Sequence, residues 1–379
     1  MSSRLGLVLA GGAARGAYEA GVLRYIYVDL ARRLGWVPWP GIVSGTSVGA
    51  LMGSFVAGRD VDGLDWLCRT WREMRIPQVY QVSYRDLFRS LRAAFGSATF
   101  AIANARPMYE LVIRHWPRHG LRRSVDQEGV VFIVGATDLS NGQQILFVDA
   151  REPPEIHPRY GIRLVHTRIR SRHALASAAL PILFPPIPIN GRLLVDGGLR
   201  MNTPLVPVLR SGADRVLVVG VKRKRSYGET RETAVPNLPF LLGKTLNALL
   251  LDPIEGELAE AEHVNDLLAW GSARYGPSFA EGMRRDFGLH AADILYVTPT
   301  EDLGAVAAEM FKRSPPRLTG PISTLLQRAA SRDAGPDADL LSYIFFDRAY
   351  TGTLEQLGWE DARRQEEAIA RLVAPERTT

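Results

Sequence analysis

The chain predicts a layered α/β fold built on a largely parallel sheet. Three observations carry this. Residues 5–10 read as a buried strand that runs through Gly11-Gly12-Ala13-Ala14-Arg15-Gly16 into an apolar-periodic helix from Ala17 to about Leu34. A short strand at Gly41-Ile42-Val43 then leads through Gly45-Thr46-Ser47-Val48-Gly49 into a second helix over residues 50–57. Farther on, residues 215–221 form a continuous apolar run, the pattern of a strand covered on both faces. Strands that alternate with helices across short turns are joined by crossovers, and crossovers make parallel pairs.

The other elements follow in order. Residues 130–137 and 144–148 read as two strands joined by the turn Ser140-Asn141-Gly142. Leu193-Leu194-Val195 is a short strand ending in Asp196-Gly197-Gly198. The basic cluster Lys222-Arg223-Lys224-Arg225 closes this part, and a boundary is drawn near residue 222. Beyond it the pattern is mainly helical, with one more strand at residues 294–297. That second part is expected to pack on the core rather than stand alone.

Composition bounds the function. A chain of 379 residues with 46% hydrophobic and 23% charged residues has the balance of a globular protein, not a disordered one. It shows no repeat of fixed period, which removes solenoids and propellers. The single cysteine, Cys68, excludes an internal disulfide and a cysteine zinc cluster, and its apolar-periodic segment makes it a core residue. No run of about 18 apolar residues suggests a membrane-spanning helix. Residues 174–189 carry four prolines, and residues 238–251 are broken by Pro239, Gly243 and Lys244. Only Arg4 precedes the apolar run at residues 5–14, so it is not read as a signal segment. A net charge of +6 suits nucleic acid, an anionic membrane or an acidic substrate. No nucleic-acid motif accompanies it, so nucleic acid is not expected as a partner.

Three constellations carry chemistry. Gly45-Thr46-Ser47-Val48-Gly49 fits G-x-S-x-G between a strand and a helix, the setting of a nucleophile elbow. Such a turn projects the serine hydroxyl, and small flanking residues let the backbone segments approach. The bland alternative is a tight turn with Ser47 as a helix cap. Gly11 to Gly16 lets backbone amides converge on an anion at a helix N-terminus: a phosphate, a dinucleotide pyrophosphate or an acyl-transfer oxyanion. Its spacing is not G-x-G-x-x-G and no P-loop lysine-serine pair follows, which disfavours the dinucleotide. With a serine elbow one unit later, the oxyanion reading gains most; close helix–sheet packing is the alternative. Asp196, at a strand end before two glycines, is a candidate general base or an Asp-Gly turn. Of seven histidines, His290 follows Ser47 and Asp196, which keeps a histidine-dependent α/β-hydrolase as a rival. In that fold the elbow normally comes after several more strands, and Ser47 is early.

Together these segments resemble the patatin-like phospholipase family. The match is carried by Gly11-Gly12-Ala13-Ala14-Arg15-Gly16, by Gly45-Thr46-Ser47-Val48-Gly49-Ala50, by Ala176-Ser177-Ala178-Ala179-Leu180-Pro181 running on to Phe184-Pro185-Pro186, and by Val195-Asp196-Gly197-Gly198-Leu199 with Asn202-Thr203-Pro204. Ala136-Thr137-Asp138-Leu139 adds to it. The resemblance implies a three-layer α/β/α sandwich over residues 5–222, with residues 223–379 as a mainly helical extension. It implies hydrolysis of acyl esters in lipids by a serine–aspartate dyad, without a metal or another cofactor. Ser47 would be the nucleophile and Asp196 the base. Amides of Gly11 to Ala14 would form the oxyanion hole, supported by Arg15 and Gly16. One departure stands out: the family usually has a third consecutive glycine where this chain has Ala13, and alanine resists positive φ. Ala13 is therefore the best support for a non-catalytic lipid-binding or scaffold protein.

Leu87, Phe88, Leu91, Ala94 and Phe95 share one face of a predicted helix, with Arg85, Arg89 and Arg92 opposite. This segment is expected either to meet an anionic membrane or to cover the core. Arg163, Arg168, Arg170 and Arg172 and the run at residues 222–225 face lipid phosphates or solvent. The expected protein is a cytoplasmic lipid acyl hydrolase that meets the membrane surface peripherally and takes phospholipid or another acyl-ester lipid as substrate.

Overall fold

The computed structural model describes residues 4–83, 101–154, 161–224, 253–316 and 339–375, with Phe88, Thr245, Ser323, Leu326 and Gln327 besides. Its strands are β1 (Leu5–Leu9), β2 (Ile42–Thr46), β3 (Val131–Asp138), β4 (Gln144–Asp149), β5 (Ile162–His166), β6 (Ile187–Ile189), β7 (Arg192–Asp196), β8 (Arg215–Val219) and β9 (Asp293–Val297). They lie in one sheet in the order β5-β4-β3-β2-β1-β8-β9, with β7 beside β3 and β6 beside β7. The pairs β1–β2, β2–β3, β1–β8, β8–β9 and β4–β5 are parallel. The hairpin partners β3–β4 and β6–β7, and the pair β3–β7, are antiparallel.

Apolar side chains alternate across the sheet and build a core on each face. Leu7, Leu9, Val43, Phe132, Val134, Leu217 and Val219 join one core, and Val8, Ile42, Val131, Ile133, Val216 and Val218 the other. A strand buried on both faces reads as an unbroken apolar run, which is why β1, β3 and β8 were visible in the sequence. Helices cover both sides, giving the three-layer sandwich. The predicted first helix is a continuous helical stretch, Gly16–Arg24, Tyr25–Leu30 and Ala31–Leu34, whose middle turn is π-helical.

Two strands escaped the sequence reading. β5 places arginine and histidine among its apolar residues and, among the described residues, has only β4 as a sheet neighbour. β6 is Ile-Pro-Ile, and its proline is tolerated because, among the described residues, β6 pairs with β7 alone. Most of the basic amphipathic segment lies outside the described residues; Phe88 alone is described, helical and exposed. No helix among the described residues is long and apolar enough to cross a membrane.

The part beyond residue 222 shares the sheet and core of the first. β9 extends the sheet beside β8. Helix Arg348–Arg364 packs on helix Gly16–Arg24, and two glycines set how closely: a Cβ at Gly21 would stand 1.8 Å from the Glu355 carbonyl oxygen, and one at Gly358 2.0 Å from that of Tyr18. Cys68 is buried beside this helix pair, and burial pushes its thiol up to about 12.

Candidate active site

Strand register brings Ser47 and Asp196 together. Gly135 of β3 pairs with Thr46, the last residue of β2, and the next residue, Ala136, pairs with Asp196, the last residue of β7. β4 occupies the opposite edge of β3 along this stretch. Thus β2 and β7 meet end to end on one edge, running in opposite directions, and their C-terminal residues converge. The Ser47 hydroxyl stands near enough to the Asp196 carboxyl to favour its charged form, and both residues line one cavity.

The elbow is strained. Ser47 has φ 55° and ψ −123°, outside the regions favoured by residues with a side chain, at a cost of about 1–3 kcal/mol. Close packing maintains it. A Cβ on Gly45 would lie 2.4 Å from the Gly49 carbonyl oxygen, and one on Gly49 2.4 Å from that of Leu9. The Ser47 N–H donates to the buried Ser177 Oγ at 2.7 Å. Ser177 belongs to the Ala176–Pro181 motif, and only the fold reveals its task.

Asp196 is buried, and its surroundings fix its orientation. Its Oδ1 accepts from the Gly198 N–H at 2.7 Å, and its backbone carbonyl from Thr137 Oγ1 at 3.0 Å. Burial pushes its carboxyl up to about 6, against the nearby Ser47 hydroxyl and the Gly198 N–H, which favour the charged form. A carboxyl in this range is ionised at neutral pH yet basic enough to take a proton. Gly197 leaves room for the β3 backbone: a Cβ there would lie 2.4 Å from the Gly135 carbonyl oxygen.

The glycine loop turns over the C-terminal end of β1. Its amides divide into two sets. The Gly11 N–H donates to the Asn202 carbonyl at 3.0 Å, and the Arg15 N–H closes the turn on the Gly12 carbonyl at 3.0 Å. The Gly16 N–H is likewise held within the turn. Among the described residues no hydrogen bond engages the N–H of Gly12 or Ala13, and both residues line the same cavity as Ser47 and Asp196. Within the expected donor stretch the Gly11 N–H is engaged; the Ala14 N–H is as free as those of Gly12 and Ala13 among the described residues, but Ala14 does not line the cavity. Ala13 does adopt positive φ, at 48°. Gly16 makes room for the elbow helix, since a Cβ on it would meet Val48 at 2.6 Å.

Two side chains anchor the loop. Glu19 accepts from the Ala10 N–H at 2.7 Å, and burial holds its carboxyl well above the usual range. Arg15 is buried, donates through Nε to Ser342 Oγ at 2.8 Å, pairs with Asp339 at 3.1 Å and lies 4.3 Å above the Tyr343 ring. Burial works against its charge, but Tyr343 and Asp339 hold its pKa above the ordinary value. The extension thus braces the glycine loop.

Ser47 opens onto an apolar cavity of about 110 Å³. Phe55 from the elbow helix, Leu67 and Trp71 from helix Val61–Arg72, and Met108 and Val112 from helix Arg106–His115 form much of its wall. Tyr343 and Phe346 of the extension complete it. His115, which also lines the cavity, is stacked on Trp66 at 3.9 Å. His290 is elsewhere: its Nε2 meets the Ala213 carbonyl at 3.0 Å, just before the N-terminal end of β8, whereas Ser47 follows the C-terminal end of the parallel β2. The formal serine–aspartate–histidine order is therefore not a spatial triad.

The class is fixed by this sheet, elbow and loop together with a family match. The model of the patatin-like phospholipases matches residues 7–209, and the chain belongs to that family. Lysophospholipase NTE1 of Cryptococcus neoformans is 27% identical over 237 residues, covering 60% of this chain and 12% of that protein. Its counterpart in Candida albicans is 24% identical over 234 residues, covering 60% and 14%. The chain therefore spans about an eighth of the length of these curated relatives. Among solved structures, human GIVD cytosolic phospholipase A2 aligns with a TM-score of 0.43 at 15% identity, over 98% of this chain and 60% of that one.

Proposed function

We propose that the protein is a lipid acyl hydrolase in which Ser47 is the nucleophile and Asp196 the general base. The observation that carries the reading is the convergence of Ser47 and the buried Asp196 carboxyl, from the ends of β2 and β7, on one apolar cavity. Asp196 takes the hydroxyl proton as Ser47 Oγ attacks the ester carbonyl. The N–H groups of Gly12 and Ala13 meet the developing oxyanion, where preorganised donors are most effective. The proton passes to the leaving alcohol, and water then releases the fatty acid from Ser47. The apolar wall suits an acyl chain. Family membership and the NTE1 relatives support a phospholipid or lysophospholipid as substrate.

The test is release of fatty acid from lysophosphatidylcholine and phosphatidylcholine vesicles. The wild type is expected to release it, and Ser47→Ala and Asp196→Asn are expected to lose at least about 100-fold in rate. Equal rates in wild type and Ser47→Ala would end the proposal. A folded wild type inert on every lipid and on short-chain esters would favour the scaffold alternative.

A further inference from the structure

Asn202 belongs to the Asn202-Thr203-Pro204 motif and holds Gly11 through its carbonyl, yet the dyad and the amide donors leave its side-chain oxygen without a task. It is 3% exposed and lines the cavity beside Ser47 and Asp196. Its two amide atoms have unlike surroundings. Nδ2 donates to the Gly11 carbonyl at 2.9 Å. Because that partner is an acceptor, the amide cannot turn over without setting oxygen against oxygen, so the placement of Oδ1 is fixed. Oδ1 is buried and has no hydrogen-bond partner among the described residues. The point where a Gly11 Cβ would stand locates it: 2.3 Å from Asn202 Oδ1 and 3.1 Å from Ser47 Cβ. A buried acceptor left unpaired is costly, and one that borders a reacting serine is ready for a donor that arrives during the reaction.

We infer that Asn202 Oδ1 binds the water that deacylates Ser47. The inference rests on the acyl-enzyme reading above. In the acyl-enzyme, Asp196 has returned its proton to the leaving alcohol and is again a carboxylate. Water then sits with one hydrogen on Asp196 and the other on Asn202 Oδ1. Its oxygen bonds to the acyl carbon as its first proton passes to Asp196. The tetrahedral intermediate then breaks its bond to Ser47 Oγ, which takes the proton back from Asp196, and the fatty acid leaves. Asn202 holds the second hydrogen throughout and exchanges no proton. A leaving alcohol makes no such demand, so the acceptor acts on deacylation and spares acylation.

The experiment is rapid-quench kinetics with p-nitrophenyl butyrate, following p-nitrophenol and the intact mass of the enzyme. Asn202→Ala, and Asn202→Ser as a smaller disturbance, are compared with wild type, with unfolding midpoints measured alongside. The expected result is a p-nitrophenol burst within about threefold of the wild-type rate, steady-state turnover slowed about tenfold or more, and a butyryl adduct that accumulates. A slowed burst with unchanged breakdown of the adduct would overturn the inference and make Asn202 a brace for the Gly11 loop. A second arm compares lysophosphatidylcholine with its 2-deoxy analogue. If the variants abolish a preference for the 2-hydroxyl while adduct breakdown keeps its wild-type rate, the donor is the substrate hydroxyl and the inference fails. A burst in wild type itself tests the acyl-enzyme, so failure of the function and failure of the water site read differently.

Discussion

Replacing Asp196 with asparagine should stabilise the protein while removing its activity. In the folded chain burial raises the Asp196 pKa from 3.8 to about 6. The folded carboxyl therefore holds its proton more tightly than the unfolded one. Between those two values the folded state carries more bound protons, and stability falls as pH rises through the window. At 1.36 kcal/mol per pH unit, the gap amounts to about 3 kcal/mol of destabilisation, fully present above pH 6 and absent below pH 3.8. Asparagine is neutral throughout and escapes it. Its Oδ1 still accepts from Gly198, and its amide can donate to Ser47 Oγ. Urea unfolding followed by tryptophan fluorescence should place Asp196→Asn up to about 3 kcal/mol above wild type at pH 8, with the gain shrinking toward zero near pH 4. In wild type, kcat/KM should fall about tenfold per pH unit below about 6, because the base is then protonated. A variant less stable than wild type at pH 8, or a gain independent of pH, would show that burial of the Asp196 charge does not destabilise the fold.

Three further outcomes follow from the same geometry. Ala13→Gly relieves a left-handed alanine at φ 48° and, after the added freedom of the unfolded chain, should raise stability by about 0.5–1 kcal/mol with kcat not reduced; calorimetry and initial rates check it, and a destabilised variant would contradict it. Ser342→Ala removes one bond to Arg15 and should cost about 1–2 kcal/mol, whereas Arg15→Ala removes the bond to Ser342, the pair with Asp339 and the contact with the Tyr343 ring together and should cost more and slow acylation; equal effects in denaturant titrations would argue against the brace. Val112→Trp fills part of the apolar cavity and should cost palmitoyl esters about tenfold in kcat/KM while sparing acetyl esters, read from a chain-length series.

What the sequence made legible was local. Gly11 to Gly16, Gly45 to Gly49 and Asp196 to Gly198 are contiguous stretches whose residue types dictate turns, and all three converge at one cavity. Strands buried on both faces were visible as apolar runs, but the proline-bearing β6 and the polar-patterned β5 were not. Partnerships across long stretches of chain were out of reach. Ser177 meets Ser47 across 130 residues, and Asp339 meets Arg15 across 324. No periodicity or composition signals such a pair; it exists because the sheet and the helix pair Gly16–Arg24 and Arg348–Arg364 bring the ends of the chain together. The engagement of the Gly11 amide, beside free donors at Gly12 and Ala13, is also a tertiary fact, set by Asn202.

The central claim is that Ser47 is an activated nucleophile, and covalent labelling tests it without assuming a substrate. Purified wild type and Ser47→Ala are treated with a fluorophosphonate probe, with and without liposomes, and weighed intact. One adduct on wild type, mapped to the peptide that holds Ser47, and none on the variant is the expected result. A well-folded wild type that takes no adduct under either condition, or a variant that is labelled equally, would contradict it.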